Sequence, residues 1–357
     1  MGETFMAIYS LWNNKGGVGK SYLTFQIACE YAQLHPNVPV LVIDLCPQAN
    51  ASSMLLGGIA AGERNLAKIA TTNPRQTISG YVEQRIISPY QNPRVGSRFV
   101  TSVNALNKQV PKNLFLVVGD EELEVQTSRV SNATRPGPAD AWRLVHGWIS
   151  DLIADIRQSW NVNNSTVFID CNPSFSIYTE LAMSASDRLI IPFSADGSCK
   201  RAVRAVLSLL YGVTRFPGAQ QSEFFLNTTQ FRMTTPRIYC YVGNRLTQMN
   251  LDSARAFKSV VNEIGKEILA VWNGNPNLFS IHPSGNPAPR TVAEFRKMFQ
   301  AEISDANSAS VVSGALGIPI FQLAPGTKTL LGVPVMVNQS QIDKQRPNIR
   351  KFVQTIE

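Results

Sequence analysis

Asn13-Asn14-Lys15-Gly16-Gly17-Val18-Gly19-Lys20-Ser21 follows an apolar run, Phe5 to Trp12, and precedes the apolar positions Leu23, Ile27, Ala28 and Tyr31 at helical spacing. A glycine-rich loop, a lysine and a hydroxyl set between a strand and a helix have the form of a phosphate-binding loop. Glycines let successive backbone N–H groups turn inward around an anion, and the following helix adds its positive N-terminal end. In this frame Lys20 reaches the β- and γ-phosphates, and the Ser21 hydroxyl is a Mg2+ ligand. Asn14 stands where the general pattern has its first glycine. The backbone mechanism survives that exchange.

His35-Pro36-Asn37 stops the first helix, and Val40-Leu41-Val42-Ile43 reads as a second strand buried on both faces. Strand, loop, helix and strand within about forty residues form a βαβ unit, with ligands expected at the carboxyl ends of the strands. Asp44 ends the second strand, where a carboxylate can approach a nucleotide's metal and water shell. Thr166-Val167-Phe168-Ile169-Asp170 repeats the pattern of an apolar run delivering one carboxylate. Asp170 is therefore expected to hold the Mg2+ shell.

The second lysine narrows the reading. Lys15-Gly16-Gly17-Val18-Gly19-Lys20-Ser21 resembles the deviant Walker A loop of the ParA/MinD family of P-loop ATPases, and it is closest to the ParA-type partition ATPases. The resemblance implies an α/β fold, a mostly parallel twisted sheet flanked by helices. It implies ATP and Mg2+ as cofactors and an ATP-sandwiched homodimer in which Lys15 acts in trans. Gly16, Gly17, Val18, Gly19, Lys20, Ser21 and Tyr22 would contact the nucleotide, and Lys15, Lys20 and Asp44 would carry the catalysis.

Further motifs follow in the family's order. Asp44-Leu45-Cys46-Pro47-Gln48-Ala49-Asn50 resembles the switch segment Asp-x-Asp-Pro-Gln-x-Asn, with Cys46 in place of the second aspartate. A neutral thiol with an ordinary pKa near ~8.5 does not replace a carboxylate that organises attacking water. Slow hydrolysis is the expectation. A redox role for Cys46 would need a cationic setting that lowers its pKa, and a bland substitution is the simpler reading. Cys171-Asn172-Pro173 resembles the second switch, and Asp187 to Pro192 a further family segment. Asn244, after the strand Arg237 to Val242, is the candidate adenine contact with Arg245 beside it, since an amide both donates and accepts.

Elsewhere the readings are plainer. Leu114 to Val118 is a strand, and Asp120-Glu121-Glu122 after it reads as a solvated, acidic helix start. A long amphipathic helix is expected from about 139 to 160, with its tryptophans in the core. Helices are also expected at Asn65 to Ala70, Ile78 to Ile86, Leu181 to Ser186, Leu251 to Val271 and Val292 to Ile303, and a last edge strand at Ile318 to Phe321. Lys200, Arg201 and Arg204 form one basic helix face, which meets phosphates or is merely solvated. The expected organisation is one P-loop domain over 1–357 with a variable stretch at 58–112, an accessory helical insertion at 251–318 and a basic helix at 342–357.

Composition bounds the partners. The chain has 357 residues, 44% of them hydrophobic, and a net charge of +8. Residues 1–178 hold 14 Lys/Arg against 13 Asp/Glu, leaving 19 against 12 for the rest. The excess is +1 in the first half and +7 in the second. That asymmetry points to a polyanionic partner or to an ordinary solvated surface. There is no run of eighteen apolar residues and no signal peptide, so a soluble, intracellular protein is expected, and the resemblance implies a cytoplasmic, nucleoid-associated one. Five scattered cysteines argue against a zinc site or a disulfide framework.

Lys344, Arg346, Arg350 and Lys351 lie on a terminal helix whose apolar face packs inward, and they are the candidate contacts to nonspecific DNA. A membrane anchor interrupted by Pro347 is a weaker reading, and a solvated face the plainest. The resemblance implies DNA partition driven by ATP, with a ParB-like centromere-binding activator that stimulates hydrolysis. The alternatives are a nucleotide-gated scaffold with little turnover and a MinD-like positioning ATPase at a membrane.

Overall fold

The computed structural model describes residues 7–135, 137–162, 164–194, 198–214, 216, 218–246 and 251–357, without the side chains of 245, 246 and 251–257. Eight strands form the main sheet: β1 (Ile8–Leu11), β2 (Val40–Leu45), β3 (Val100–Ser102), β4 (Leu114–Val117), β5 (Thr166–Cys171), β6 (Arg188–Phe193), β7 (Arg237–Leu246) and β8 (Gln300–Ser304). Their spatial order is β3-β4-β2-β5-β1-β6-β7-β8, all parallel except β3 against β4. Every residue of β2 and β5 is buried, as the near-continuous apolar runs require of strands covered on both faces.

The helices are α1 (Lys20–Leu34), α2 (Asn50–Leu55), α3 (Gly58–Ala70), α4 (Ile78–Ile87), α5 (Val103–Leu106), α6 (Glu122–Ala133), α7 (Ala141–His146) and α8 (Trp148–Trp160). They continue with α9 (Ile177–Ala185), α10 (Cys199–Tyr211), α11 (Glu223–Gln230), α12 (Leu251–Gly274), α13 (Val292–Phe299), α14 (Ser308–Leu316) and α15 (Gln339–Val353). Two apolar clusters sandwich the sheet. One gathers α8, α9, α10 and α13, and the other α1, α14 and α15. The α/β, mostly parallel, helix-flanked fold is as the sequence implies.

Several boundaries differ from expectation. The helix expected from 139 to 160 is two helices, α7 and α8, meeting at Gly147, and glycine destabilises a helix interior relative to alanine. Trp142 and Trp148 are buried there. The helix expected at Val292 to Ile303 stops at Phe299, and Gln300 to Ser304 pair with β7 as the terminal strand. A free edge of the sheet overrides the local periodicity. Ile318 to Phe321 is accordingly no strand: it forms a turn in which Gln322 N–H bonds Pro319 O at 2.8 Å while Ile320 packs in the core.

Asp120 is buried rather than solvated. It accepts hydrogen bonds from Arg75 Nη2 at 2.6 Å, from Ser79 Oγ at 2.6 Å and from Thr77. A hairpin, β9 (Gly326–Leu330) with β10 (Val333–Val337), was not anticipated. Helix α15 starts at Gln339 behind an Asn338–Gln341 capping box and runs through Pro347 without a break.

Candidate nucleotide site

The carboxyl ends of β1, β2 and β5 converge. β5 lies between β1 and β2, so Asp170 is the register partner of both Leu11 and Asp44. The loop leaving β1 wraps over these ends. Gly17 and Gly19 hold φ of 75° and 77°, backbone that favours glycine. A Cβ at Gly16 or Gly17 would meet nothing within 4 Å. Among the described residues one wall of the loop therefore stands open, as a seat for a phosphate chain requires.

Lys20 crosses under that loop. Its ammonium donates to Lys15 O at 2.8 Å and Asn13 O at 3.3 Å, and burial lowers its pKa from the usual value. Desolvation makes such a charge costly without an anion beside it. Asp170 is fully buried and takes Ser21 Oγ at 2.7 Å on one oxygen and Thr24 Oγ1 at 3.0 Å on the other. Burial, then the Asp44 charge, pushes its carboxyl up to about 7.

Asp44 is bound differently. One oxygen accepts from Ser52 N at 2.9 Å and Ser52 Oγ at 2.8 Å, the other from Cys46 N at 3.1 Å. Gly119 closes the cage. Its N–H donates to Ser52 Oγ at 2.8 Å, and a Cβ there would lie 2.8 Å from Asp44 Cγ. Burial raises the Asp44 carboxyl to about 6. Cys46, next along the chain, is buried, and desolvation with the Asp44 and Asp170 charges pushes its thiol up to about 12. A redox role needs a lowered pKa, and this setting acts in the opposite direction.

Asn244 is fully buried and donates Nδ2–H to Val18 O at 3.0 Å and Gly19 O at 3.2 Å, while its Oδ1 has no partner among the described residues. A buried orphan acceptor beside the loop fits a ligand amine. Val18 itself is buried. The side chain of Arg245 lies outside those described. Tyr22 is buried on α1, and its hydroxyl donates to Gln345 Oε1 at 2.7 Å, tying the loop's helix to α15. Lys15 Nζ lies 3.7 Å from Cys199 Sγ, at the start of α10 in the same chain. Thr24, Ser52 and Gly119 were not singled out in the sequence. Thr24 had a signal: it is one turn past Ser21 on the same helix face.

The two basic faces are also resolved. On α10, Lys200 pairs with Glu263 at 2.8 Å and Arg204 Nε with Glu267 at 2.9 Å, so α12 neutralises cations that were candidates for phosphate contact. On α15 the four cations divide. At about 100° per residue, Lys344 and Lys351 flank one side of the buried stripe, and Arg346 and Arg350 the other. Arg350 approaches Glu30 at 4.0 Å. Burial raises the Glu30 carboxyl, opposed by Arg350 and Arg346. Among the described residues no helix is long and apolar enough to cross a membrane.

Comparisons with known proteins agree with the fold. The sequence profile AAA_31, described as an AAA domain, matches residues 6–216. The apo McdA of Cyanothece shares the fold with a TM-score of 0.58 at 14% identity, over 97% of this chain and 98% of that one. An ATP complex of a variant of Cyanothece McdA gives 0.55 at 14% identity, over 99% and 98% of the two chains. No curated protein matches the chain in sequence.

Proposed function

The chain belongs to the ParA/MinD family of P-loop ATPases, and from that premise we propose that it is a dimerising, slowly hydrolysing ATPase of the partition type. ATP with Mg2+ supplies a phosphoanhydride bond and the charge that its cleavage must neutralise. The residues present fit that group. Lys20 is a buried cation within an open glycine loop, Ser21 and Asp170 are paired beneath it, and Asn244 Oδ1 is an unmatched acceptor. The Ser21–Asp170 contact below an open loop wall is the observation that carries the reading.

In this reading Lys20 holds the phosphates, Ser21 is the hydroxyl ligand of the metal, and Asp170 steadies it from behind. Asn244 receives the adenine amine. Lys15 leaves Cys199 and reaches the nucleotide on the second protomer. Asp44 fixes the segment after β2 in position, and Cys46 limits the rate. The ATP-bound dimer holds nonspecific DNA through Lys344, Arg346, Arg350 and Lys351, and a ParB-like activator stimulates hydrolysis and release. The +7 charge of residues 179–357 supports a polyanionic partner.

Sizing the protein with ATP, with ADP and without nucleotide tests the dimer, alongside Mg2+-dependent turnover. The expected result is a dimer with ATP only, lost in Lys15→Ala, and slow turnover lost in Lys20→Ala. A monomer under all three conditions sinks the proposal. DNA retention should need ATP, fall with salt, and lose salt dependence when the four α15 cations are removed. Retention indifferent to ATP would exclude the partition mechanism.

A further inference from the structure

The terminal strand β8 lies at the base of a groove. α13 contributes Phe295 and Phe299 to the apolar cluster on one side of the sheet, and α15 contributes Phe352 and Val353 to the cluster on the other. Between them, at the sheet's edge, two adjoining cavities of about 640 and 580 Å3 share His282, Lys297, Met298 and Thr355. Gln300, Ala301 and Glu302 of β8 line the second. No further strand lies beyond β8 among the described residues. Helix α15 caps the edge at Ser304, whose N–H donates to Asn348 Oδ1 at 3.3 Å and whose carbonyl accepts Gln345 Nε2 at 2.9 Å. The stretch left for pairing is therefore Gln300 to Glu302.

Charge and floor are both distinctive. The cations Arg290, Arg296, Lys297 and Lys351 line the cavities, and none of them forms an ion pair among the described residues. The two carboxylates present are already engaged. Glu294 accepts Arg290 N–H at 2.7 Å and Thr291 N–H at 3.2 Å, and Glu302 accepts the Gln300 amide at 2.8 Å. Pro287, Pro289, Met298 and Phe352 supply an apolar lining. A rigid convex duplex gains little from a narrow apolar trough. An extended chain gains backbone pairing along the edge, and its alternate side chains point to opposite walls.

We propose that this groove binds an acidic peptide segment of a partner protein, laid as an added strand along β8, with apolar side chains against Met298 and Phe352. Its acidic side chains meet Arg296 and Lys297 on the α13 wall and Lys351 on the α15 wall. The site is separate from the nucleotide loop, and the proposal does not rest on the ATPase reading. Lys351 is shared with the proposed DNA surface, so the test must distinguish the two ligands.

The probe is a short fluorescent peptide of Glu and Leu, titrated into the full chain by anisotropy, with a counterpart carrying Gln for Glu. Binding is expected for the first, weakened at least about tenfold for the counterpart and for Lys297→Ala/Lys351→Ala. Arg346→Ala/Arg350→Ala, on the other flank of α15, should leave it unchanged. Hydrogen exchange should show amides within 300–302 protected by the peptide. The proposal is overturned by absent binding, by equal binding of both peptides, by a groove variant that binds like the parent, or by unprotected β8 amides. Displacement of the peptide by duplex DNA or anionic vesicles at lower charge concentration would equally overturn it, marking the groove as a general polyanion seat.

Discussion

Asp44 and Asp170 sit side by side, in register on neighbouring strands, both fully buried, yet their surroundings assign them opposite work. Two of the three donors around Asp44 are backbone N–H groups, from Ser52 and Cys46, fixed in place by the fold. Both donors around Asp170 are hydroxyls, from Ser21 and Thr24, which rotate and can present a lone pair instead. A carboxylate caged by backbone is committed to holding its loop. One held by hydroxyls is free to re-form its contacts when a ligand arrives.

The sharpest way to break this contrast is an amide exchange at each position. Asp44→Asn turns an N–H2 group toward fixed N–H donors, leaving buried polar groups unmatched, and should cost about 3 kcal/mol of stability. Asp170→Asn meets hydroxyls that reorient, so less than about 1 kcal/mol should be lost. Urea denaturation without nucleotide measures both. Equal losses would show that the two carboxylates are interchangeable anchors.

Activity should divide the other way. Asp170 acts through Ser21, as an outer-shell partner does, so Asp170→Asn should lower Mg2+-dependent turnover by between about 10- and 100-fold while the fold persists. A variant with unchanged turnover would remove Asp170 from the metal's support. Cys46→Asp sharpens the comparison from the β2 side. It restores a carboxylate where the family's switch has one, and should raise turnover several-fold, at the price of about 1 kcal/mol for a charge placed near Asp44 and Asp170. Turnover that stays level would show that Cys46 is not what limits the rate.

The loop and both carboxylate strands were legible in the sequence because their signals are local: glycines before Lys20-Ser21, and apolar runs ending in Asp44 and Asp170. The cage around Asp44 was not. Ser52 reaches it from α2 and Gly119 from the end of the neighbouring strand β4, and no spacing rule joins them. The same limit explains β8. Residues 300–304 have a periodicity compatible with helix, and only β7's open edge decides for a strand. Pairing of opposite charges was hidden in the same way at α10, where Glu263 and Glu267 lie about sixty residues from the cations they neutralise.

Asp120, at the end of β4 beside β2, extends the comparison to a third strand end. Its carboxyl is buried, which alone would raise its pKa, but bonds from Arg75, Ser79 and Thr77 outweigh burial and leave it below the usual value. Among the described residues Asp44 and Asp170 have no such guanidinium partner, and burial holds their carboxyls above the usual value. The sign follows from linkage. A group with a depressed folded pKa binds fewer protons than its unfolded counterpart, so its contribution is complete above about 3.8 and fades as pH falls through the lower folded value. Arg75 is about a third exposed, and solvent screening reduces what the pair is worth. Asp120→Asn should therefore cost only about 1 to 2 kcal/mol near neutral pH. The gap between variant and parent should close as the pH is lowered below 4 in paired denaturation curves. A gap that persists there would mean that the shape of Asp120's hydrogen bonds, rather than its charge, ties the loop before α4 to the sheet.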